Sequence, residues 1–159
     1  MKETGNLKQC LEELGYAVVP TVGNSMLPIL QEGKCMVQVI RIEGKPLQEG
    51  DVVLYRRKNG AYILHRIMRK IEEDTFLVCG DHQWRLEEEI QKEQILAVMQ
   101  GFLKNGHYVD DNTWWYRIYK IIWNRNLLIR RCCLAFLRLS GLEKKWLRSV
   151  VRISSKIRS

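Results

Sequence analysis

The chain has 159 residues, 46% of them hydrophobic and 28% charged, which suits one domain with a real core and excludes a disordered composition. Its net charge of +8 is unevenly spread: residues 1–113 sum to −3, whereas residues 114–159, with twelve basic side chains against Glu143 alone, sum to +11. No uninterrupted apolar run reaches the roughly 18 residues that a spanning helix needs; the nearest, 126–139, is broken by Arg130, Arg131 and Arg138.

The opening residues, MKETGNLKQCLEELG, contain no apolar h-region, so neither a secretory signal nor a membrane anchor is expected there. Leu7, Cys10, Leu11 and Leu14 follow helical spacing, with Gly15 placed to end the helix. A short strand is expected over 16–19, stopped by Pro20, before a turn through Gly23-Asn24 into Ser25. From there the pattern is that of strands. Residues 35–42 alternate around Met36, Val37, Val39 and Ile40. Segments 51–57 and 61–71 flank Asn59-Gly60, a hairpin signal. Further strands are expected over 76–79 and 95–103, the latter ending at Asn105-Gly106. Short strands at this spacing predict a mainly β fold, a compact barrel-like antiparallel sheet with a short N-terminal helix. After Asp110-Asp111-Asn112 the composition turns helical over 114–138, Gly141 breaks the run, and a second basic helix is expected over 143–157. The natural division is a domain over 1–110 and a basic, aromatic-rich helical extension over 111–159. Five cysteines, with no CxxC and no metal spacing, suggest reduced thiols and a cytoplasmic setting.

Candidate chemistry lies in Ser25, His65 and Asp81. A serine hydroxyl is a poor nucleophile near neutral pH and needs a base for its proton and donors for the developing oxyanion. Histidine suits the base role, and a carboxylate on its far nitrogen fixes the tautomer. Ser25 sits in a Gly-containing turn, His65 on a later strand, and Asp81 in a Gly-Asp pair beyond it.

Four segments in order carry a resemblance. GNSMLPIL around Ser25 resembles the nucleophile box of the signal peptidase I superfamily, which includes the LexA-like self-cleaving repressors; Ser25, Met26 and Pro28 match its Ser-Met-x-Pro core. GDVVLY at 50–55, ILHRI with His65-Arg66, and CGD at 79–81 resemble the boxes that follow. The stretch from 20 to 103 is covered. Most bacterial members carry lysine where His65 stands, so the chain is similar to the endoplasmic-reticulum and archaeal branch, in which serine pairs with histidine. The resemblance implies Ser25 as nucleophile, His65 as general base, and Met26 and Pro28 beside an extended substrate with small side chains near the cut. Either Asp81 or Glu87 is expected to orient His65, with Asp81 favoured. Gly23 stands where many members have an oxyanion-binding hydroxyl, leaving the backbone N–H of Ser25, with Asn24, for that role.

The expected activity is thus that of a serine endopeptidase that acts on leader or signal segments of exported or ribosomally made peptide precursors, without metal or cofactor. The alternative is a non-catalytic binding module on the same fold. For the extension, three readings stand: docking at an anionic membrane surface, which would make the protein peripheral there; docking against the catalytic domain or a partner protein; and nucleic-acid binding, which is disfavoured because the N-terminus has room for one helix rather than a helix-turn-helix.

Overall fold

The computed structural model describes residues 3–44, 46–83, 88–125, 130, 132 and 135. Helix α1 (Glu3–Leu14) leads into strand β1 (Tyr16–Pro20). Strands β2 (Cys35–Ile40), β3 (Val52–Arg56), β4 (Tyr62–Glu72), β5 (Thr75–Cys79) and β6 (Glu88–Gln91) follow. A 3-10 turn (Lys92–Gln94) precedes β7 (Ile95–Lys104) and β8 (His107–Asp110), and helix α2 (Trp114–Arg125) follows them. The eight strands make one antiparallel sheet in the order β1-β2-β7-β3-β4-β5-β6, with β8 paired to β7, curled into a half-barrel. The mainly β expectation is met.

A hydrophobic cluster covers each face of the sheet, which is why β3 is an uninterrupted apolar run rather than an alternating one. Val52 and Leu54 enter a core shared with Val37, Val39, Met99, Leu11 of α1 and Tyr116 of α2. Val53 and Tyr55, facing the other way, pack with Ile67, Phe76, Val78 and Ile90. Gly15 ends α1 as expected: it adopts φ +76°, and its N–H donates to Leu11 O at 3.2 Å.

Two strands were not legible in the sequence. In β6, with the sequence EEIQ, Ile90 is the buried anchor. β8, with the sequence HYVD, has no fully buried side chain and is held by its ladder to β7 across the Asn105-Gly106 turn. Polar and half-exposed edge strands lack the alternation that announces a strand. The helix expected over 114–138 is present as α2 over its first turns. The second basic helix, over 143–157, lies outside the described residues. No helix among the described residues is long and apolar enough to cross a membrane.

Candidate active site

Ser25 lies in a succession of turns between β1 and β2 that is closed at its base. Thr21 Oγ1 donates to Gln31 O at 2.8 Å and Cys35 O at 3.1 Å, and the Thr21 N–H also donates to Cys35 O. Met26, Ile29 and Leu30 anchor the turn in the core. Lys104, on β7, donates through Nζ to Pro28 O at 3.2 Å and Ile29 O at 2.6 Å, and burial there lowers its pKa. A polar, half-exposed serine is thus carried on an apolar anchor.

The Gly-Asp segment presses on Ser25 from the other side. The His82 N–H donates to Ser25 O at 2.7 Å. A Cβ built on Gly80 would lie 2.6 Å from Ser25 O and 2.7 Å from Gln83 Oε1, so only glycine fits. Gln83 Oε1 accepts from Gly80 N–H at 2.9 Å. Ser25, His65 and Gln83 line one cavity of about 680 Å³. Met26 also lines it. Pro28 is buried beneath the turn and is not one of the lining residues.

His65, on β4, is only 2% exposed. It lies opposite Val53 in the β3–β4 ladder, which brings Tyr55, two residues along the same face, to it diagonally. Tyr55 Oη is 3.4 Å from His65 Nδ1. Tyr55 was not singled out in the sequence; it ends the GDVVLY segment, and finding it requires the strand register.

Asp81 does not present its carboxylate to His65. Its Oδ1 accepts from Arg66 Nε at 2.8 Å, and its Oδ2 from Arg66 at 2.6 Å and from Tyr119 Oη at 3.1 Å. The reason is the strand pleat. His65 and Arg66 are adjacent on β4, so their side chains leave opposite faces of the sheet, and the carboxylate paired with Arg66 sits on the face away from His65. Glu87, the other expected orienter, lies outside the described residues.

The Arg66–Asp81 pair is fully buried, and the helical extension closes over it. Arg66 also donates to Gly50 O at 2.7 Å and to Tyr116 Oη at 3.3 Å. Burial alone would lower the Arg66 pKa; the Asp81 charge and hydrogen bonds, with the neighbouring phenols, outweigh it and raise the pKa well above the usual value. Burial pushes the Tyr116 phenol up to about 12, and burial and the Asp81 charge raise Tyr119 as well. Tyr119 stacks between Tyr116 and Trp123, with ring centroids 6.0 and 5.2 Å away. Trp123 Nε1 donates to Asp81 O at 2.9 Å, Arg130 Nε to the same oxygen at 3.1 Å, and Arg130 also to Gly80 O. The extension therefore holds the loop that abuts Ser25, in line with the reading that had it dock against the preceding domain.

In comparisons with known proteins, no family model matches the chain and no curated protein matches it significantly.

Proposed function

We propose that the chain is a serine endopeptidase of the signal-peptidase-like type, cleaving leader or signal segments of exported or ribosomally made peptide precursors. One observation carries this reading. Ser25 and His65, forty positions apart, line a single cavity, with Gly80 packed against the serine backbone.

In the proposed reaction the Ser25 hydroxyl attacks the scissile carbonyl and His65 takes its proton. General-base work at Nε2 requires the tautomer protonated on Nδ1, and Tyr55 Oη, 3.4 Å from Nδ1, is placed to accept that proton's hydrogen bond. The protonated imidazole returns its proton to the leaving amine, the acyl bond to Ser25 forms, and a second cycle with water releases it. The Ser25 N–H donates to no group among the described residues and is the main candidate for the oxyanion.

The cavity walls suit an extended substrate. β1 ends the strand order, so one of its edges is unpaired among the described residues. Residues 62–65 of β4 pair with β3 on one side, while β5 joins β4 only from Arg66 onward. Both stretches line the cavity, so a peptide strand can add its backbone to them. Leu14, Tyr16, Val18 and Val22 are exposed around it, an apolar surface matched to a leader with apolar side chains.

The test is cleavage of a panel of leader-bearing peptides, read by mass spectrometry, by wild type, Ser25→Ala and His65→Ala. Cleavage by wild type alone supports the peptidase. Identical behaviour of all three removes it and favours the binding module.

A further inference from the structure

Helix α2 has two apolar faces. The inner one is used: Tyr116, Tyr119 and Trp123 lie on the buried Arg66–Asp81 pair. That docking fixes the rotation of the helix about its axis, so its other face is turned away from the sheet. The outer face carries Trp114, Ile118, Ile121 and Ile122, exposed by 59, 49, 55 and 49%. Their spacing of four, three and one places them in a single stripe. Arg117, also exposed, borders the stripe.

We propose that this outer face docks on an anionic lipid bilayer, with α2 lying in the plane of the interface. Charge selects that occupant. Beyond α2 the chain continues through residues 126–159 with nine basic side chains and one acidic. Arg130 is engaged on Gly80 and Asp81, and the other eight follow α2 in the sequence. An apolar stripe with tryptophan at one end and basic residues around and after it has the make-up of an interfacial helix. A second copy of the chain would bring a second net charge of +8, which opposes pairing. A nucleic acid would use the charge and leave the four large apolar side chains in water.

The inference is independent of catalysis, and Ser25→Ala should bind lipid as wild type does, so its failure and that of the peptidase reading are separable. The probe is the full chain with vesicles of phosphatidylcholine, alone and mixed with phosphatidylglycerol, at physiological ionic strength. Binding is expected to the mixed vesicles and much more weakly to the neutral ones, with each basic residue at the surface contributing about fivefold. Each half-exposed apolar side chain contributes about threefold to tenfold on burial, so Trp114→Ser/Ile118→Ser/Ile121→Ser should weaken binding at least about 30-fold. These side chains lie outside the core, so the triple variant should keep the thermal midpoint of the wild type. Brominated lipid should quench wild-type tryptophan emission more than that of Trp114→Phe. Unchanged binding of the triple variant would overturn the proposal, because charge alone would then carry the attraction. So would a failure of wild type to bind the mixed vesicles, or a wild-type dimer that the triple variant abolishes.

Discussion

Asp81→Asn separates two roles for one carboxylate. In the structure Asp81 is a stabilising group: both oxygens are engaged by Arg66, and neither side chain is more than 1% exposed. The substitution keeps the shape, removes the charge and turns an amide donor toward a guanidinium that cannot lose its proton. Breaking a buried pair from one side costs about 3–5 kcal/mol, because the other charge is left uncompensated. For a chain of this size each kcal/mol lowers the midpoint by about 2–4 °C, so a fall of about 6–20 °C is expected. Differential scanning calorimetry reads the midpoint, and peptide cleavage measured well below it reads the catalytic rate of the folded fraction. The double variant Arg66→Met/Asp81→Leu should recover much of the loss, since apolar replacement of a buried pair is often neutral or stabilising. The opposite pattern, an unchanged midpoint with a rate lowered by about 10⁴, would show the carboxylate acting on His65 and would refute this placement.

Other substitutions probe the remaining contacts. Tyr55→Phe removes the oxygen beside His65 Nδ1; losing one hydrogen bond of about 0.5–1.5 kcal/mol should lower kcat/KM by about twofold to tenfold, alter the pH–rate profile and lower the thermal midpoint by about 1–6 °C. Gly80→Ala drives a methyl into Ser25 O and Gln83 Oε1 and should abolish cleavage while costing about 1–3 kcal/mol in a urea titration. At alkaline pH the raised Tyr116 pKa acts through linkage. The folded state keeps its proton where the unfolded state loses it, so stability present below about pH 10 should fall by about 2–3 kcal/mol as pH approaches 12. Lys104, whose pKa is lowered, has the opposite sign and gains stability as pH rises toward the ordinary lysine value, so it offsets part of the fall up to that pH. Urea midpoints across this range check the sign.

Much of the sheet was legible because its central strands are long apolar runs bounded by turn residues. The Asn59-Gly60 signal correctly marked a hairpin, but the signal alone does not set its register. A two-residue turn would place Arg66 opposite Val53. The observed turn closes from Arg57 N–H to Ala61 O, with Gly60 at φ +87°, and puts His65 there instead. That one-residue difference decides which neighbour faces the cavity and which faces Asp81, and no local pattern records it. Ser25 and His65 were legible as types in a familiar order. Tyr55, Gln83 and the closure of Trp123 and Arg130 over the Gly80 loop depend on tertiary contacts between segments up to fifty residues apart.

The central claim is that Ser25 is a nucleophile activated by His65. The most direct measurement is labelling of the intact chain with a serine-directed phosphonate probe, with the adduct located by peptide mass spectrometry. A single adduct on Ser25, formed by wild type and lost in His65→Ala while both proteins remain folded, is the expected result. No adduct on Ser25, or equal labelling of wild type and His65→Ala, would contradict it.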